Sequence, residues 1–132
     1  MKYSLVICVF LATLVKGQTK SRFDCDLLQS VIETEVIKEQ FHLCEMKKIL
    51  IVDTNNYFDG CTLDKICDKK VELIHVLPAD IKINKIVVLS LKKIKKTYQL
   101  NFYCPKNGGT IFFTLKKRKH CIKVTKHELG AF

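Results

Sequence analysis

Tryptophan is missing from this chain of 132 residues, and glycine and proline are scarce, at five and two. So little of either excludes a collagen-like or low-complexity chain, and 48% apolar residues argue against intrinsic disorder. Long apolar runs are lacking too. Past the N-terminus the longest is Ile86–Leu91, six residues even with Ser90 counted in, against the roughly 20 that a membrane span needs. None of Asn55, Asn56, Asn84, Asn101 and Asn107 has a hydroxyl residue two places on, so no N-glycosylation acceptor is present. Nucleophile elbow, phosphate loop and HExxH motif are all absent. What is plentiful is positive charge: 23 Lys and Arg against 13 Asp and Glu give a net +10. Such an excess suits an acidic receptor, a glycosaminoglycan, nucleic acid or an anionic membrane.

Met1-Lys2 followed by the apolar run Leu5–Val15 and then Val15-Lys16-Gly17 has the form of a secretory signal peptide. Cleavage leaves a domain of residues 18–132 with a charge of +8, secreted and extracellular, with no membrane insertion. Cys8 departs with the signal. Cys25, Cys44, Cys61, Cys67, Cys104 and Cys121 remain, and six cysteines in an oxidising compartment predict three disulfides with fifteen possible connectivities. His42-Leu-Cys44 and His120-Cys121 lack the paired spacing of a zinc site, so neither a metal nor a cofactor is expected.

Four amphipathic segments suggest helices. The first starts at Asp24 with Leu27, Leu28, Val31, Ile32, Val36 and Ile37 on one stripe. The second runs from Thr62 to Pro78 through Leu63, Ile66, Cys67, Val71, Ile74 and Leu77. The third follows Asp80 with Ile83, Ile86, Val87, Leu91 and Ile94 apolar and lysines opposite. The fourth covers Thr110–Val124, against a local strand preference in Thr-Ile-Phe-Phe-Thr. Ile49–Val52 and Tyr98–Tyr103 read as strands, and Asn107-Gly108-Gly109 as a turn. Together these predict an all-α, up-up-down-down four-helix bundle with a small two-stranded sheet in its crossover loops.

A basic secreted chain of this size also invites comparison with pancreatic-type ribonucleases, which use two histidines and a lysine. His42, His75, His120 and His127 are the candidates, but the Cys-Lys-x-x-Asn-Thr-Phe signature is absent, and the chain is expected not to be an enzyme. Lys116-Lys-Arg-Lys119 is the densest basic cluster. Its commoner reading is a solvated helix end, and its sharper one a heparin or nucleic-acid patch. No aromatic residue interleaves with it for base stacking, so nucleic acid is not expected as a partner.

Cys25-Asp-Leu-Leu-Gln-Ser-Val-Ile, Cys44-Glu-Met, Leu100-Asn-Phe-Tyr-Cys104-Pro and a last Cys121 behind a basic segment resemble the interleukin-4/interleukin-13 cytokines. The likeness implies the short-chain cytokine bundle and the pairs Cys25–Cys121, Cys44–Cys67 and Cys61–Cys104. It also implies a monomer that brings together class I cytokine receptor chains, an interleukin-4 receptor alpha-like chain and a second one. Aligning Gln29 places Ser30 at the family's acidic first-helix position, with Glu33 one turn on. The third-helix basic position falls on Lys92 or Lys93 within a face that includes Lys85 and Lys96. Arg118 falls where the fourth helix would meet the second chain. Glycosaminoglycan is a secondary partner. The interleukin-2/15/21 branch and a basic ribonuclease-like or antimicrobial effector are the alternatives.

Overall fold

The computed structural model describes residues 19–80, 82–118 and 121–131, with side chains from Cys25 to Gly130; the expected signal peptide lies outside them, as do Lys119 and His120. The chain opens with helix α1 (Thr19–Ile32), which starts ahead of the expected Asp24. Its stripe of Leu27, Leu28, Val31 and Ile32 is fully buried. The helix does not run on through Ile37. At Thr34 the backbone is extended (φ −72°, ψ 150°), and the Thr34 hydroxyl donates to the Val31 carbonyl at 2.8 Å, closing the last turn. A short helix α2 (Glu35–Gln40) follows, and His42 in the left-handed region (φ 54°) leads into a 3₁₀ turn at Leu43–Glu45.

Everything after this is strand and loop: β1 (Ile49–Val52), β2 (Val71–Ile74), β3 (Ile86–Ile94), β4 (Thr97–Cys104), β5 (Gly109–Lys117) and β6 (Ile122–Ala131). They form one six-stranded sheet in the order β2-β1-β3-β4-β5-β6. β1 lies parallel to both β2 and β3, and β3 to β6 make an antiparallel meander. The all-α four-helix bundle expected from the sequence is therefore incorrect.

Each failed helix has a local cause. In the second segment Cys67 and Asp68 both have positive φ (54° and 63°), and Ile66 and Lys69 exchange two backbone hydrogen bonds of 3.0 and 2.8 Å. That tight reversal stops any helix and delivers Val71-Glu-Leu-Ile74 to the edge of the sheet. In the third, the β-branched run Ile86-Val-Val88 fits a pleated surface better than a helix, where χ1 freedom is lost. In the fourth, the preference of Thr110–Leu115 for strand prevails. The two strands expected in the sequence are present but do not pair with each other, because β3 lies between β1 and β4.

The disulfides also differ from the implied framework. Cys25 is joined to Cys61, in place of Cys25–Cys121 and Cys61–Cys104; Cys44 is joined to Cys67. Cys104 and Cys121 are free thiols. Cys104 pairs with Gly109 at one end of the meander and Cys121 precedes Ile122, which pairs with Lys117, at the other. Eight strand positions separate the two ends, about 27 Å, far beyond disulfide reach.

The sheet has two unlike faces. Across β3–β6 the rows Val88–Phe102–Ile111–Leu129, Leu91–Leu100–Phe113–His127 and Lys93–Tyr98–Leu115–Val124 lie on one face. Their central members are buried in one core with Leu27, Leu28, Val31 and Ile32 of α1. Phe102 and Phe113 meet edge to face, with centroids 5.9 Å apart. Across β3–β6 the side chains of the other face are half-buried or exposed, whereas on β1 Leu50 and Val52 are buried.

Candidate functional site

On this open face the register fixes four rows. Val87, Tyr103, Thr110 and Gly130 form the first, and Ser90, Asn101, Phe112 and Glu128 the second. Lys92, Gln99, Thr114 and Lys126 form the third, and Ile94, Thr97, Lys116 and Lys123 the fourth. The turn between β3 and β4 adds Lys95 and Lys96, and the end of β5 adds Lys117 and Arg118. These two turns are tied together: the Lys117 amide donates to the Lys96 carbonyl at 3.2 Å, and the Arg118 amide to the Cys121 carbonyl at 2.7 Å. Bases from three separate segments thus converge on one end of the sheet.

Lys116 and Lys123 are directly paired across β5 and β6. Like charges in that position repel at close range, and neither lysine has an ion-pair partner among the described residues. Lys126 differs, since Glu128 holds it at 3.0 Å. Lys93 points to the core face and lies 5.7 Å from the centroid of the Tyr98 ring, a cation–π contact at the same end. Such a concentration of cations costs stability locally and creates a strong positive potential.

The expected receptor contacts divide accordingly. Lys92, Lys93, Lys96 and Arg118 are brought to this end and are exposed, on strands and turns rather than on helices. Lys85 is buried, 7% exposed, with Nζ donating to the Ile83 carbonyl at 3.2 Å. Ser30 is buried on α1, its hydroxyl donating to the Asp26 carbonyl at 2.7 Å. Glu33 accepts from Gln29 Nε2 at 2.8 Å. Ser30 sits on, and Glu33 directly after, the helix that packs against the opposite face of the sheet, away from Lys92.

A second polar cluster lies where β1 and β2 end. Asp53 is fully buried; its carboxylate accepts the backbone N–H groups of Tyr57 (3.1 Å) and Phe58 (2.8 Å). His75 Nδ1 is 2.9 Å from the Asp53 carbonyl oxygen and 3.5 Å from its carboxylate, while Nε2 is 3.9 Å from Asp59. A carbonyl oxygen only accepts, so in the neutral ring Nδ1 carries the proton. His127 packs against Phe113 on β6, at the far edge of the sheet from His75, and His42 faces Glu45 at 3.7 Å. Among the described residues no three His, Cys, Asp or Glu are grouped to hold a metal ion.

No protein-family model, curated protein or solved structure matches the chain. The site therefore rests on its own geometry. Sequence reasoning found Lys116 and Arg118 as a run but missed Lys123, Lys126, Tyr103 and Phe112 as members of the same face. One signal was available: after Asp80 the chain has thirteen Lys and Arg and a single acid, Glu128.

Proposed function

We propose that the protein is a secreted, non-catalytic binding protein for an extended polyanion, engaged through the basic end of the β3–β6 meander. The observation behind this is the Lys116–Lys123 pair, opposed across two strands without a carboxylate, amid Lys92, Lys95, Lys96 and Arg118. An anionic chain laid across those rows relieves the repulsion and releases counterions, so affinity falls steeply with salt. The interleukin-4-type reading is not taken further. It placed its contacts on helix faces of a four-helix bundle, and here the same lysines lie in strands while Ser30 and Lys85 are buried.

Heparin is the practical probe. The chain is expected to bind it, with log affinity falling linearly in log salt. Lys116→Ala/Lys123→Ala should reduce that slope by about 1.5, the equivalent of two lost charge contacts. A slope unchanged by the double variant would place the contact elsewhere.

A further inference from the structure

The open face is not basic throughout: the other side chains of its four rows are mostly uncharged and polar, with Glu128, paired with Phe112, the one acid. Toward the far end of the meander stand Ser90, Asn101 and Thr110, with Gln99 and Thr114 inside the Lys92–Lys126 row, hydroxyls and carboxamides that have the half-buried rings of Phe112 and Tyr103 among them. Tyr103 pairs with Thr110 and Asn101 with Phe112, so the two rings are diagonal neighbours on one face of β4 and β5. Gly130 contributes no side chain beside them; a Cβ there would come within 2.8 Å of the Thr110 hydroxyl. The Asn101 carboxamide oxygen is shielded from solvent and has no hydrogen-bond partner among the described residues.

We propose that the polyanion is an acidic polysaccharide, one sugar of which lies against Phe112 while its sulfates or carboxylates meet Lys92, Lys116, Lys123 and Lys126. This rests on the polyanion reading above and names its ligand class. Phe112 and Lys116 are four positions apart on β5, about 13 Å, a distance that an oligosaccharide covers and one sugar ring does not. The charge of the lysine rows complements the acid groups, the hydroxyl and amide field matches sugar hydroxyls, and an apolar ring supports the C–H face of a pyranose. Single-stranded nucleic acid is a poorer fit. It stacks successive bases on exposed rings threaded among the cations, whereas here both rings are half-buried and lie in rows beside the lysine rows rather than within them.

The test compares three probes on the purified secreted chain: a heparin hexasaccharide, inorganic polyphosphate of similar charge, and oligo(U) RNA. Phe112→Leu keeps apolar bulk in the sheet but removes the ring, and Phe112→Tyr restores it; thermal melts confirm that both variants fold. Phe112→Leu is expected to weaken the hexasaccharide about tenfold and polyphosphate less than about twofold, with Phe112→Tyr close to the parent. Equal effects on both probes, or none on the hexasaccharide, overturn the saccharide assignment while leaving the polyanion reading in place. A loss confined to oligo(U) transfers the face to nucleic acid. Failure of the parent chain to bind any of the three overturns both.

Discussion

At the scale of single residues, Asp53 shows how a polar group can be fully buried and still stabilise. Its two carboxylate oxygens take up the Tyr57 and Phe58 amides, so the loop leaving β1 is fastened to the strand it left. His75, just past the end of β2, bonds the Asp53 backbone carbonyl. Charge-assisted hydrogen bonds of this type contribute more than neutral ones, and their loss leaves buried N–H groups unsatisfied. Asp53→Ala is expected to destabilise the protein by about 2–4 kcal/mol, read as a lower midpoint in urea with little change in slope. A shift under about 0.5 kcal/mol, the range of an ordinary surface substitution, would mean that these contacts do not hold the loop.

At the scale of elements, the two bridges close loops of 36 and 23 residues, each limiting the unfolded chain by about 3–4 kcal/mol in the chain-entropy account. Both lie in the first half and fix the helices and the irregular 53–70 segment to each other, whereas the meander relies on its ladder and core. Burial pushes the Cys104 thiol up, with amide hydrogen bonds from Asn107 and Lys106 opposing in part. Because its folded pKa is raised, the buried neutral thiol contributes stability below the ordinary thiol range, and that contribution fades as pH rises through the folded value. Non-reducing peptide mapping should therefore return Cys25–Cys61 and Cys44–Cys67, with Cys121 alkylated in the native state and Cys104 only after unfolding. A Cys61–Cys104 or Cys25–Cys121 peptide would contradict the fold.

The same elements show what could be read in the sequence. β1, β4 and the Asn107–Gly109 turn were legible because Ile-Leu-Ile-Val and Tyr-Gln-Leu-Asn-Phe-Tyr satisfy only the strand pattern. The stripe of α1 was legible because its four apolar residues satisfy only the helical one. Ile83–Ile94 satisfies both, and there the β-branched cluster should have outweighed the lysine spacing. The reversal at Cys67-Asp68 left no signal, since neither residue is a habitual positive-φ former in the way glycine is. Cysteine order suggested a family framework, but order alone does not determine which thiols approach one another. The basic cluster was visible as a run, Lys116–Lys119, while the partners that give it a face lie on three other strands and required the register.

At the scale of the molecule, the charge is divided between the two halves. Of the 13 acids, 12 lie in the first 80 residues, which have ten Lys and Arg; the remainder has thirteen bases and Glu128. The fold keeps this division. The helices, β2 and the loops of the first 80 residues hold twelve of the thirteen acids, with ion pairs such as Lys48–Glu72 (2.8 Å) and Lys38–Glu35 (3.4 Å), while the meander presents its cations at one end of an open face. A polyanion approaching such a molecule is steered to one end of it, so the position of a charge matters more than the total. Two double variants with the same change in net charge separate these effects. Lys116→Glu/Lys123→Glu alters the open face; Lys47→Glu/Lys70→Glu alters exposed lysines near β1 and β2. If total charge governs binding, both should lower heparin affinity alike. If the face governs it, the first should lower affinity by at least about tenfold and the second by no more than about twofold, a gap of roughly 1 kcal/mol or more. The first should also raise stability slightly: glutamates at both positions keep a like-charge pair but place it among Lys92, Lys95, Lys96 and Arg118, so thermal melts would show the meander gaining what binding loses.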